Sequence, residues 1–211
     1  MQDDRLHLLQ HPLLQHKLTL LRKAGLSTRG FRNLTHEIGA LLAYELMRDV
    51  KTDPVEVATP LGTAEGVVLE GKEHVFIAIL RAGLGVVDGM LSVVPTARVG
   101  HVGLYRDKKL KTAVEYYLKL PKDIAERQAV VVSSVLATGC SAIAALDRVK
   151  ESGAQGLRFA CLLAAKEGIE RLRDAHPDVP IYTCGVDPTV DERGYVIPGL
   201  GDVGDRLYGT E

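Results

Sequence analysis

Between residues 27 and 50 the apolar positions recur at helical spacing. Phe31, Leu34, Ile38, Leu41, Leu42 and Leu46 share one face, and Ser27 or Thr28 can cap the first turn. A long amphipathic helix is predicted there. In PVEVATPLGTAEGVVLEGK the spacing shortens to two on either side of Pro60-Leu61-Gly62, which predicts a β-hairpin arm. From residue 75 apolar runs alternate with glycine-rich turns and helical stretches, the pattern of a parallel sheet buried on both faces. VFIAIL, ARVGHVGLY, AVVV, GLRFACLLAA and IYTCGV read as strands; VVDGMLSVV and the stretch after ATGCS read as helices. RDKKLKTAVEYYLKLPKD is too polar for core and long enough for a flap; Lys108, Lys109 and Lys111 read first as a solvated loop and second as a closure over a polyanion, with Tyr116-Tyr117 as its anchor. The glycine-rich end, DERGYVIPGLGDVGDRLYGTE, reads as a structured loop.

Of 211 residues 46% are hydrophobic, enough for one α/β domain over residues 1–211. Within it a helical and hairpin region spans about residues 1–72, and the core sheet with the C-terminal loop about residues 73–211. Lys plus Arg number 26 against 27 Asp plus Glu, so no global field attracts nucleic acid, and small molecules are the expected partners. Cys140, Cys161 and Cys184 are widely spaced, without a CxxC pair, as in a reducing cytoplasm. The polar start and the lack of an 18-residue apolar run argue against secretion and a membrane span. The seven histidines have no metal-ligand spacing, and His11-Pro12 reads as structural. Cys161 and Cys184 read as core.

Three segments carry chemistry. In VVVSSVLATGCSAIAALDRV a strand ends in small and hydroxyl residues before a helix, whose first amides would donate to a phosphate, with Thr138 and Ser141 adding donors. The same turn also reads as an ordinary junction capped by Thr138 or Ser141. Cys140 at that helix start is placed to be a reactive thiol. In ILRAGLGVVDG, Arg81 follows a buried strand, where the ligand crevice of an α/β sheet lies, though a surface ion pair explains an arginine there equally well. Asp88 stands where a dinucleotide fingerprint needs its third glycine, so a nicotinamide site is poorly supported. In GYVIPGLGDVGDR, exposed backbone groups could match a planar base edge, with Asp202 and Asp205 beside them; a packed loop without ligand is the alternative.

Together these segments, with HPLLQHKLTLLR, FRNLTHEIGALLAYE, VGLYRD, HPDVPIYT and GYVIPGLGDVGDRLYGT, make the chain resemble the uracil phosphoribosyltransferases over nearly its whole length. The resemblance implies a type I phosphoribosyltransferase fold, a mainly parallel sheet flanked by helices, and transfer of ribose 5-phosphate from phosphoribosyl pyrophosphate to uracil. It implies pyrophosphate contacts from Arg81 and Arg106, and a donor site over Ser133, Ser134, Val135, Leu136, Ala137, Thr138, Gly139, Cys140 and Ser141. It implies base contacts from Val196, Gly201, Asp202 and Val203, with Asp202 also facing the donor. Magnesium held mainly by donor oxygens, GTP binding and a homodimer or higher homo-oligomer also follow from the likeness. The alternating apolar arm independently suggests self-association.

This chain departs from that pattern where the family usually reads Asp-Pro and it has Ser133-Ser134, where a second glycine becomes Cys140, and where proline becomes Lys166. Hydrogen bonds to a charged group contribute about 1.5–3 kcal/mol against about 0.5–1.5 for neutral ones, so a lost carboxylate is expected to weaken donor use by roughly tenfold. The departure leaves an alternative open, a weakly active or non-catalytic sensor of uracil or UMP.

Overall fold

A computed structural model describes residues 5–106 and 113–210. A short strand, β1 (Leu6–Leu8), precedes helices α1 (Pro12–Leu21) and α2 (Thr28–Leu46). Ser27 caps α2, its hydroxyl accepting from the Gly30 N–H, and Phe31, Ile38, Leu42 and Leu46 are buried as their spacing predicts. The helix stops four residues short of the expected Val50, because beyond Leu46 the chain turns and Asp49 faces Arg158 at 3.0 Å. The helix α1 went unread: Pro12 starts it and the His11 ring caps it, so His11-Pro12 is structural as expected.

The arm is β2 (Thr52–Thr59) paired antiparallel with β3 (Gly62–Leu69) across Pro60-Leu61. It projects, with Val57, Val67, Val68 and Leu69 exposed on it.

The core follows as β4 (Val75–Leu80), α3 (Gly83–Val93), β5 (Arg98–Arg106), β6 (Ala113–Lys119), β7 (Ala129–Val132), β8 (Val135–Leu136), α4 (Cys140–Glu151), β9 (Arg158–Cys161), β10 (Leu163–Ala165), α5 (Lys166–Ala175), β11 (Ile181–Thr183), β12 (Val186–Asp187), β13 (Thr189–Val190), β14 (Val196–Ile197) and α6 (Val203–Tyr208). The main sheet runs β1-β11-β9-β7-β4-β5-β6, parallel throughout except for β6. Strand β4 is buried on both faces: Phe76 and Ala78 pack toward α2 and α3, while Val75, Ile77 and Ile79 pack toward α4. That two-sided burial explains its unbroken apolar run.

Two expectations about loops are corrected. Residues 113–119 of the expected flap form β6, hydrogen-bonded to β5, and Tyr116 and Tyr117 are exposed rather than packed anchors. Lys108, Lys109 and Lys111 lie outside the described residues. The C-terminal segment is not loop throughout, because Asp202 caps a short helix, α6, that its glycines had hidden.

Chain order fixes where a crevice must form. From β4 the chain moves to β5, then returns to β7 on the other side of β4 and continues outward through β9 and β11. The order therefore reverses between β4 and β7, and ligands of open α/β sheets bind outside the carboxyl ends of strands at such a reversal. Strands β7, β9 and β11 each break and resume as β8, β10 and β12, a second small parallel sheet in the same spatial order. Ser133 and Ser134 are the break between β7 and β8.

Candidate active site

A cleft of about 420 Å³ opens at that reversal. Its lining joins the whole run from Ser133 to Ala142 with Ala82, Arg193–Tyr195 and Gly201–Gly204. The sequence-predicted phosphate segment and the glycine-rich C-terminal segment, some sixty residues apart in the chain, thus form two walls of one cavity.

The phosphate wall is the junction from β8 to α4. Gly139 precedes the helix at φ 82°, a left-handed conformation that a side chain at this position would strain. No side chain caps α4, which corrects the reading of Thr138 or Ser141 as its cap, and its first residues, Cys140 to Ala142, line the cleft. Cys140 opens the helix, half-buried, and its sulfur accepts from Arg171 Nη2 at 3.5 Å. Cys161 and Cys184 are fully buried, as expected of core residues. Burial pushes the Cys161 thiol up to about 12, and that of Cys184 up as well. Ser133 Oγ donates to the Val135 carbonyl at 3.1 Å, so its hydroxyl is turned into its own loop.

The facing wall begins with the β13 and β14 hairpin. Its turn closes on Asp191, whose carboxylate accepts from the Arg193 and Tyr195 N–H groups at 3.0 and 2.8 Å, and this hangs Arg193 and Tyr195 over the cleft. Those hydrogen bonds, the one from Tyr195 first, hold the Asp191 carboxyl below the usual carboxylate range. Asp202 Oδ1 accepts from the Asp205 N–H at 3.0 Å as the cap of α6, and its Oδ2 accepts from the Tyr195 phenol at 3.0 Å. Gly201 lines the cleft, and among the described residues neither its N–H nor its carbonyl is hydrogen-bonded. Val203 lines it too, while Val196 sits just behind, 5% exposed and paired with Val190.

Arg81 stands at the rim rather than in the lining. It bonds Asp205 at 3.4 Å and Thr210 at 3.3 Å, its guanidinium lies 5.7 Å from the Tyr208 ring, and its carbonyl accepts from the Tyr208 hydroxyl. The turn after β4 is thereby tied to α6. The backbone of Arg106 ends β5; its side chain lies outside what the structure describes. Arg193 and Tyr195 were missed as cleft residues, because DERGY reads as a charged turn until the hairpin around it is recognised.

A reversal crevice with a helix start on one side and a glycine-rich loop on the other is the ligand site of an open α/β sheet, here of the type I phosphoribosyltransferase fold. A hypoxanthine-guanine phosphoribosyltransferase from Bacillus anthracis shares that fold, with a TM-score of 0.51 over 74% of this chain and 79% of its own, at 15% identity. Within this class the chain belongs to the uracil phosphoribosyltransferase family, whose profile matches residues 8–210. It is 55% identical over 205 residues to a uracil phosphoribosyltransferase of Rhodococcus jostii, covering 97% of this chain and 98% of that one. It is 53% identical over 211 residues to one of Legionella pneumophila, covering 100% and 99%. A solved structure from Aquifex aeolicus superposes with a TM-score of 0.92 at 35% identity, covering 98% of this chain and 99% of that one.

Proposed function

We propose that this chain, acting as one domain over residues 1–211, transfers the phosphoribosyl group of phosphoribosyl pyrophosphate to N1 of uracil. The bond from C1′ to pyrophosphate breaks, the bond from C1′ to N1 forms, the N1 proton leaves, and the products are UMP and pyrophosphate. The observation that carries this reading is the cleft itself, which joins the start of α4, without a side-chain cap, to Gly201, whose N–H and carbonyl make no hydrogen bond among the described residues.

In this reading the segment from Ser133 to Ser141 holds the 5-phosphate and ribose, since amides and hydroxyls at a helix start suit a dianion. Val196, Gly201 and Val203 meet the base through backbone groups. Arg81 and Arg106 neutralise the departing pyrophosphate, and Asp202 faces the donor. Asp202 keeps its place because both its oxygens already hold α6 and Tyr195.

Magnesium would be held mainly by the pyrophosphate and ribose oxygens of the donor itself, a hard-oxygen set that suits the ion. When bound, the ion would offset charge on the pyrophosphate. The likeness extends the reading to GTP binding and to work in the cytoplasm; no helix among the described residues is long and apolar enough to cross a membrane. The exposed Val57, Val67, Val68 and Leu69 on the arm support a homodimer or larger homo-oligomer.

Incubation with uracil, donor and magnesium should give uracil-dependent pyrophosphate release and UMP. Ligand-induced thermal stabilisation without turnover would overturn the enzyme reading in favour of a sensor. Arg81→Ala should raise the donor KM about tenfold or more with uracil KM little changed. Sedimentation at micromolar concentration should show no monomer.

A further inference from the structure

Arg22, just past the end of α1, and Asp187, the last residue of β12, form a bidentate pair with both contacts at 2.7 Å. Both then turn to a single residue of the glycine-rich loop. Asp187 Oδ2 accepts from the Gly199 N–H at 2.8 Å, and Arg22 Nη1 donates to the Gly199 carbonyl at 3.1 Å. Asp187 is 5% exposed, and although burial works against its charged form, the hydrogen bonds from Arg22 and Gly199 prevail and keep it ionised.

Gly199 itself admits no side chain. Its φ is 65°, and a Cβ there would lie 1.9 Å from the Val196 carbonyl oxygen. Next in the chain, the Leu200 carbonyl accepts from Arg206 Nη1 at 2.7 Å. The carbonyls of Gly199 and Leu200 and the Gly199 amide are therefore all consumed inside the protein. Gly201 is the next residue; it lines the cleft, and its amide and carbonyl make no hydrogen bond among the described residues.

We propose that the Arg22 and Asp187 pair is a positioning device for base recognition, clamping Gly199 so that Gly201 presents one donor and one acceptor at a fixed spacing and angle. This rests on the reading of the 196–203 loop as the base site. A nucleobase edge is read by paired donors and acceptors, so a loop free to rock by a fraction of an ångström would lose both affinity and discrimination. The chain supplies the clamp from two segments outside the loop, one at α1 and one at β12. The Arg fork matters because a single guanidinium must hold a carboxylate and a carbonyl together.

The test compares the KM values of uracil and donor, and uracil against cytosine, in Arg22→Lys, Asp187→Asn and the double variant Arg22→Met with Asp187→Leu. The double variant leaves no unpaired charge and serves where a single change fails to fold. Uracil KM should rise about tenfold with donor KM within about twofold, and selectivity over cytosine should fall. Arg22→Lys, which keeps charge without the fork, should not rescue. A role in stability alone would move both KM values together, or neither at a temperature where the variant is folded, and either result overturns the proposal. Gly201→Ala separates the two layers. If it raises uracil KM while the clamp variants do not, the clamp fails and the base site stands; if none of these variants affects uracil, the base-site reading falls as well.

Discussion

The Tyr195 phenol donates to the Asp202 carboxylate at 3.0 Å, and the other oxygen of that carboxylate caps α6. One side chain thus joins the β13 and β14 hairpin to the helix that carries Asp205, the partner of Arg81. Asp202 therefore has a structural duty separable from any contact with the donor.

Asp202→Asn keeps an oxygen to cap α6, whereas Asp202→Ala removes it. Losing an N-cap costs about 1 kcal/mol, so the alanine variant should unfold at lower denaturant and the asparagine variant near the parent. If Asp202 also faces the donor, both variants should lose turnover to a similar degree despite unequal stability. Turnover that tracks stability across the two would confine Asp202 to capping.

Much of this was legible in the sequence, and the exceptions share a cause. Apolar period marked α2, the hairpin arm and β4, because burial on one face or both leaves a repeat of 3.6, 2 or none. Helix α6 was missed because the glycines around it argue against a regular element and only Val203 and Leu207 are buried in it, too few to make a period. The second small sheet was unreadable for a similar reason, since β8, β10 and β12 are two or three residues long. The run from Ser133 to Ser141 was legible as a strand-to-helix junction rich in small and hydroxyl residues, and it lines the cleft. Arg22 and Asp187 announced nothing, because they sit 165 positions apart and only the tertiary fold brings them together.

Thiol labelling should separate the cysteines. Cys161 and Cys184 are fully buried, with thiols pushed up by desolvation, while Cys140 lines the cleft. Iodoacetamide at neutral pH should add once per native chain and three times in denaturant, matching the three cysteines. Saturating donor should slow the native reaction several-fold. Equal rates with and without donor would remove Cys140 from the donor site.

His74 supplies a pH dependence. It is 6% exposed, and burial, reinforced by the nearby Arg158 charge, lowers its pKa below the ordinary 6.5. The unfolded chain then binds a proton that the folded chain refuses, so stability should fall as pH drops through 6.5, by at most about 1.4 kcal/mol per pH unit for this one group. His74→Gln should flatten the stability curve below about pH 6.5, in a series of urea titrations. An unchanged slope would mean that His74 takes up its proton equally in the folded and unfolded chain.

The last prediction concerns Ser133, at the break between β7 and β8 where the family usually carries aspartate followed by proline. Here the Ser133 hydroxyl donates to the Val135 carbonyl, and its N–H donates to the Ala160 carbonyl at 3.0 Å. An aspartate would keep the backbone bond but, having no proton to give, would be repelled by the Val135 oxygen and turned outward to the cleft. Proline at Ser134 is also compatible, because the Ser134 carbonyl accepts from the Leu162 N–H while its own N–H makes no hydrogen bond among the described residues. The double variant Ser133→Asp with Ser134→Pro should therefore fold and place a carboxylate where ribose hydroxyls are expected. A charge-assisted hydrogen bond in place of a neutral one should raise kcat/KM for the donor about tenfold, with uracil KM little changed. A double variant that folds, binds both substrates and is no faster than the parent would show that the serine is not the limiting feature of this loop.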